Sequence, residues 1–216
     1  AYEIITESQL NDLIKEIQFY DGNITDFQET RVEDLKDAIY YHLGDSKETM
    51  EEFLEEKFNP KYVFDIGCGT GQWLDEYRKY NVLTKGVEGS RNAFIEMSDE
   101  TKEVVLEWDL RDKIEEEDYN IDFVQSFEVA EHIEEEYADI FLHNLIKDDP
   151  DTVLLTAAPP GQGGFKHVNL QDRYYWMTKM KDNGYLFNQD LLNEIRGWGE
   201  PDECPVWWRS NLMVFI

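Results

Sequence analysis

The sequence predicts an α/β domain built on a doubly wound, mostly parallel sheet of seven strands, with helices ahead of it at the N-terminus. Three observations predict it. From Lys61 onward, short apolar runs alternate with segments of helical spacing. A glycine-rich turn, FDIGCGTGQW at 64–73, stands where the first run gives way to the first of those helices. Two later runs end in acids, Glu88 and Asp109. A chain of 216 residues holds one such domain and hardly two. We therefore expect a single domain over residues 1–216, with a helical cover at 1–58 and an α/β core at 59–216. The first residue is alanine, which suits a domain cut from a larger polypeptide.

Each element has its own signal. In residues 7–20, Leu10, Leu13, Ile14 and Ile17 recur at helical spacing, and Ser8 suits the cap. Residues 30–57 repeat the pattern through Val32, Leu35, Ile39, Tyr40 and Leu43, with a break at Gly44-Asp45-Ser46. These helices are expected to cover the mouth of a site. The strands then read YVFDIG, VLTKGVEGS, EVVLEWDL, IDFVQSFE and TVLLTAAPP, the last stopped by Pro159-Pro160. Helices are expected from GTGQWLDEYRKY, from about Asn92, through Glu135 to Ile146, and from Gln171 to Lys181. A closing pair of strands is expected near Tyr185–Phe187 and Trp207–Phe215.

Composition removes several function classes. With 41% apolar and 14% aromatic residues the chain is globular, not disordered, and no run reaches the length of a membrane span. Two cysteines, Cys68 and Cys204, suggest no disulfide framework and a reducing compartment, hence a cytoplasmic location. The 48 acidic residues against 20 basic ones give a net charge of −28, which repels phosphate backbones and excludes bulk nucleic acid as a partner. A neutral acceptor, or one met through a metal, fits better. The acid runs themselves read as solvated surface.

Gly67, Gly69 and Gly71 let the backbone turn tightly and approach a ligand closely. Their spacing is G-x-G-x-G. Gln72 stands where the dinucleotide fingerprint needs its third glycine, which counts against a pyrophosphate-bearing dinucleotide. Asp65 beneath the turn suits a ligand with an amino group. Glu88 suits a ribose diol, Asp109 an exocyclic amine, and Leu110 a flat ring. Trp73 at the head of the helix joins this candidate cofactor set. The ordered set, D-x-G-C-G-T-G followed by the two strand-ending acids, resembles class I S-adenosylmethionine-dependent methyltransferases from about Val63 to the C-terminus. The resemblance implies a Rossmann-like fold and S-adenosylmethionine as cofactor. Its methionine end would lie near the glycine turn and its adenine beyond the third strand.

In FVQSFEVAEHI a buried strand hands over to Glu128, Glu131 and His132. A helix beginning at once would place the three on one face. Two carboxylates and one imidazole suit Mg²⁺ or Mn²⁺ better than Zn²⁺. His167, in PPGQGGFKHVNLQDRYYW after the fifth strand, is a fourth candidate opening onto the same crevice. E-x-x-E-H with a later His resembles the small-RNA terminal-ribose O-methyltransferases, in which two Glu and two His hold a metal that grips adjacent ribose hydroxyls. The E-x-x-E-H part alone also resembles the ubiquinone-pathway O-methyltransferases, and many enzymes of the class carry it with no metal. The first resemblance implies that Glu128, Glu131, His132 and His167 ligate a metal, with His132 or His167 accepting the hydroxyl proton and Glu128 in the catalytic set.

The segment from Gly163 to Trp176 and PVWWRSNLMVF resemble methyltransferase domains of surface-glycan synthesis, including those of large viruses and phages. A sugar or glycan acceptor follows as the expectation. Tyr174, Tyr175, Trp176, Trp207 and Trp208 would give flat faces to sugar rings, and Asn169, Gln171 and Arg173 would give hydrogen bonds. Two alternatives remain open at this point: a metal-free small-molecule O-methyltransferase of the phenol or catechol type, and a non-catalytic S-adenosylmethionine-binding interaction domain.

Overall fold

A computed structural model of the chain describes residues 54–115, 120–197 and 206–216. The helices expected over 7–20 and over most of 30–57 lie outside the described residues, as does Cys204. Residues 54–58 are helical, in line with the end of the second of these. Leu54 is fully buried, and Phe58 packs on Phe123 with ring centroids 5.2 Å apart.

The sheet contains β1 (Tyr62–Ile66), β2 (Leu83–Glu88), β3 (Val105–Glu107), β4 (Phe123–Ser126), β5 (Thr152–Leu155) and β6 (Met213–Phe215). Its order is β3-β2-β1-β4-β5-β6. The first five strands run parallel, and β6 lies antiparallel on β5. Strands β4 and β5 are buried at every position, as central parallel strands are, and the two polar residues of β4, Gln125 and Ser126, make buried hydrogen bonds to Tyr77 and to the Ile66 carbonyl. Strand order reverses between β1 and β4. In such sheets that point opens a crevice beyond the carboxyl ends of the strands. Here it brings the glycine turn after β1 next to the segment after β4.

The helices are α1 (Gln72–Lys79), α2 (Arg91–Glu96), α3 (Asp99–Lys102), α4 (Ala138–Ile146), α5 (Arg173–Asp182), α6 (Gln189–Gly197) and α7 (Val206–Asn211). Ser90 and Ser98 cap α2 and α3, and the Asp172 carboxylate accepts from Tyr175 N–H at 3.0 Å to cap α5. Phe64, Val124, Phe141, Leu142, Val153, Trp176 and Phe215 meet in one core cluster.

Three expectations change. The described sheet has six strands, not seven. Tyr185–Phe187 supplies only a single bridge, from Phe187 to Phe215, because Asn188 already accepts from Leu191 N–H and so opens α6. Residues 206–211 form a helix, with Leu212 N–H bonded to the Trp208 carbonyl at 2.9 Å, so the last strand starts only at Met213. The helix after β4 does not begin at once either. Two 3₁₀ turns, Ala130–His132 and Glu135–Tyr137, precede α4.

Asn144, fully buried on α4, ties the loop after β3 to the core. Its Oδ1 accepts from Ile114 N–H at 3.0 Å and its Nδ2 donates to the Asp112 carbonyl at 3.0 Å. Asn144→Leu would leave the buried Ile114 N–H without its partner, while the exposed Asp112 carbonyl keeps the Trp108 Nε1 donor, and should cost roughly 1–3 kcal/mol of stability in denaturant titration.

Candidate active site and metal centre

Gly67, Gly69 and Gly71 all adopt positive φ, at 80°, 56° and 81°. A Cβ on Gly67 would sit 2.3 Å from Val129 Cγ2, and one on Gly71 would sit 2.2 Å from Thr101 Cγ2. Gly69 faces open space. The outer two glycines thus let the chain pack, and the middle one leaves room for a ligand. Glu88, 9% exposed at the end of β2, receives Gly69 N–H at 2.7 Å and Ser90 N–H at 2.5 Å. Its carboxylate is therefore fixed beside the turn. Burial raises its pKa, against the lowering effect of those N–H groups. Asp65 is buried beneath the turn, as expected.

Asp109 is paired with Arg111 through two hydrogen bonds, Nε to Oδ1 at 2.9 Å and Nη2 to Oδ2 at 2.6 Å, and its pKa is lowered, chiefly by that guanidinium. Two residues of the expected cofactor set are buried. Leu110, in the turn after β3, is 5% exposed within the main core cluster, and Trp73, on α1, packs on Phe127 with centroids 5.2 Å apart.

The structure brings Glu131, His132 and His167 together, with one ligand atom from each within 4.8 Å of the others. Glu131 is fully buried and neither of its carboxylate oxygens receives a well-formed hydrogen bond; its own N–H, the Ala158 N–H and the Glu128 carboxyl are the polar groups near enough to act on it. Burial first, and then the neighbouring charge of Glu128, raise its pKa. His167 Nε2 lies 4.0 Å from Glu131 Oε1, and the two imidazoles stand edge to face with centroids 5.0 Å apart. Backbone carbonyls hold the other ring nitrogens. His132 Nδ1 meets the Lys166 carbonyl at 3.1 Å, and His167 Nδ1 meets the Gln162 carbonyl at 3.4 Å. A carbonyl only accepts, so each Nδ1 is the donor in its pair, and a neutral ring so held offers Nε2 as its lone-pair atom. Desolvation also lowers the His132 pKa from its ordinary 6.5, which favours the neutral ring. A buried carboxylate without a well-formed hydrogen bond, facing two oriented imidazole lone pairs, is a donor set that fits a divalent cation.

Backbone geometry supports the same cluster. Val168 and Asn169 N–H groups bond the Glu131 carbonyl at 2.9 and 3.0 Å, tying the turn after β4 to the loop after β5. Among the described residues, five that are not glycine have left-handed φ; three are Asn or Asp, which tolerate it. The other two, Glu128 at 55° and Lys166 at 55°, flank the cluster, where local strain marks functional positions.

Glu128 stands beside the three-residue group, not in it. Its N–H donates to Thr156 Oγ1 at 2.7 Å, and its Oε1 accepts from Asn211 Nδ2 at 3.3 Å. Asn211 also donates to Gln162 Oε1 at 3.1 Å. The expectation of one helical face for 128, 131 and 132 fails because the left-handed Glu128 precedes a 3₁₀ turn. Among the expected acceptor residues, Trp176 and Trp208 are core, at 0% and 1% exposure, and the Trp207 side chain lies outside the described residues. Asn169 is buried and accepts from Gln171 Nε2 at 3.0 Å. Tyr175 leans on Trp176, while Arg173 and Tyr174 line an open cleft.

Sequence reasoning missed Thr156, Asn211 and Gly164. A Cβ on Gly164 would fall 2.2 Å from His167 Nε2, so only glycine leaves the ring its place. The one available signal was Thr156, a polar residue interrupting the apolar run TVLLTAA.

Fold and turn together define an α/β domain with the architecture of S-adenosylmethionine-dependent methyltransferases. The chain belongs to the methyltransferase domain family, whose model matches residues 40–209. A search of curated protein sequences finds no match. Among solved structures, the methyltransferase domain of bacterial CtHen1 is similar at a TM-score of 0.53 and 17% identity, covering 79% of this chain and 96% of that one. Magnesium protoporphyrin IX methyltransferase from Synechocystis PCC 6803, with bound SAH, is similar at a TM-score of 0.57 and 17% identity, covering 83% and 86%. The small RNA methyltransferase HEN1 is similar at 0.55 and 17% identity, covering 79% of this chain and 24% of that one.

A raised carboxyl pKa has a definite sign for stability. Above 4.5 the unfolded chain sheds the Glu131 proton while the metal-free folded protein retains it, so folding loses free energy as pH rises. In chelator, stability should fall by up to about 1.4 kcal/mol per pH unit from that value until the folded protein also releases the proton, at about 9. Glu131→Gln should flatten this dependence in denaturant titrations run across pH; an unchanged slope would place the carboxylate in a solvated setting.

Proposed function

We propose that the protein is an O-methyltransferase that moves the methyl group of S-adenosylmethionine to a sugar hydroxyl with a hydroxyl neighbour, assisted by a divalent cation. The observation that carries this reading is the buried Glu131 carboxylate, without a well-formed hydrogen bond, facing His132 and His167. The donor supplies a methyl group on a positively charged sulfur. Gly69 leaves space for it at the turn, and Glu88 accepts from its ribose hydroxyls. Asp65, buried beside the turn, attracts its amino group.

Glu131, His132 and His167 would hold Mg²⁺ or Mn²⁺, which supplies Lewis-acid chemistry that makes a hydroxyl more acidic. Glu128, outside that group and adjoining the acceptor side through Asn211, accepts the hydroxyl proton. The remaining work of the site is alignment of oxygen, methyl carbon and sulfur. CtHen1 and HEN1 share the fold, and HEN1 is a small RNA methyltransferase. The net charge of −28 argues for a sugar outside a long nucleic acid here.

Mass spectrometry of sugar acceptors incubated with S-adenosylmethionine and Mn²⁺ should show a gain of one methyl group. Chelator, Glu131→Ala or His132→Ala should each cut turnover by at least about a hundred-fold while donor affinity holds. Full activity of both variants in chelator would remove the cation from the mechanism. Gly164→Ala should weaken Mn²⁺ binding, read by calorimetry, by about 10–100-fold through displacement of the His167 ring. Glu88→Ala should instead weaken the donor by roughly 1.5–3 kcal/mol, seen in equilibrium binding without metal.

A further inference from the structure

Beside the cluster, beyond the carboxyl end of β5, lies an open cleft of about 620 Å³ lined by Arg173, Arg196, Arg209, Asn211 and Asp172. Three guanidinium groups in one cleft are unexpected in a chain with 48 acidic and 20 basic residues. Arg173 Nη2 and Arg196 Nη2 both donate to the Ser210 carbonyl, at 2.9 and 2.8 Å, and Arg196 Nε donates to the Arg209 carbonyl at 2.6 Å. Neither Arg173 nor Arg196 meets a carboxylate among the described residues. Asp172, the acid in the lining, is committed to capping α5. Each guanidinium has five N–H donors, so these backbone bonds leave most of them available.

Two neighbouring guanidinium groups repel each other. Burial, and then the charge of Arg173, lower the Arg196 pKa from its ordinary value. Backbone carbonyls fix the pair without neutralising it. An oxyanion between them would supply the missing charge and accept the planar N–H forks.

The position of the cleft says which ligand that oxyanion belongs to. Asn211 lines it and donates to Glu128, so the cleft adjoins the proposed proton acceptor. Along the sheet edge the glycine turn follows β1, the carboxylate and imidazole cluster follows β4, and the cleft lies over β5 and β6. Donor and acceptor therefore approach the cluster from opposite sides.

We infer that this cleft is the acceptor subsite and that Arg173 and Arg196 bind an oxyanion, phosphate or carboxylate, carried by the sugar. This rests on the proposed reaction for the identity of the acceptor, and it replaces the neutral acceptor expected from net charge. A single small anion is compatible with an acidic surface that repels a polyanion, because two local guanidinium groups outweigh distant, screened charges.

Calorimetry without donor or divalent ion, in EDTA and low salt, tests it. The probes are inorganic phosphate, glucose 1-phosphate, glucuronate and glucose. At least one anionic probe should bind about tenfold or more tighter than glucose. Arg173→Gln and Arg196→Gln should each lower that affinity by about tenfold, while Lys179→Gln, which removes a cation paired with Asp139 on α5, should not. Preference for the phosphates would mark a sugar phosphate, and preference for glucuronate a uronic acid. Equal binding of glucose and all three anions in the wild-type protein would overturn the inference, as would an equal loss in Lys179→Gln. The wild-type comparison stands even where a variant fails to fold. Since no donor or metal is present, intact anion binding without methyl transfer would refute the proposed reaction alone.

Discussion

The Glu131 carboxylate is the constraint around which the site is organised. Placing a carboxylate at full burial with no well-formed hydrogen bond is costly, and proteins normally avoid it by pairing or protonation. The metal-free protein meets that cost by keeping Glu131 protonated. Val168 and Asn169 N–H groups grip the Glu131 backbone carbonyl and so fix the 3₁₀ turn that carries the side chain. The same loop delivers His167 and the Lys166 carbonyl that orients His132. One connection between the β4 and β5 ends thus sets both the carboxylate and the two imidazoles. A cation that balances the buried charge gives that arrangement a physical reason.

The sheet order turns this local geometry into a reaction line. Reversal at the β1–β4 step brings the glycine turn within reach of the cluster. The antiparallel β6 then returns Asn211 and Ser210 to the same edge, because Met213 pairs with Leu155 at the end of β5. On the proposed reaction, a donor held over β1 and β2 and an acceptor held over β5 and β6 meet at β4. The methyltransferase family assignment and this topology agree, since a parallel sheet with one antiparallel strand at its edge builds the crevice without further devices.

Much of this was legible from residue types and spacing, and the misses share a cause. The strand runs and glycine turn follow from local rules, so β1 to β5 fall where the apolar runs end. Glu88 stood out because an acid closing a buried strand has few structural reasons to be there, and it does end β2. His132 and Glu131 were readable as ligand types, but their geometry was not: a left-handed Glu128 followed by a 3₁₀ turn leaves no periodic signature. Trp176 and Trp208 looked like sugar platforms because large aromatics serve surface and core alike, and only packing separates the two uses. The arginine cleft was invisible for another reason. Arg173, Arg196 and Arg209 come from three helices, and overall composition masks a local concentration of charge.

The most direct measurement is anomalous diffraction from crystals grown with Mn²⁺. The account requires a single strong peak bounded by the Glu131 carboxylate and the free nitrogens of His132 and His167. A density map with no ion there at millimolar Mn²⁺, and with Glu131 hydrogen-bonded to protein or water, would contradict it.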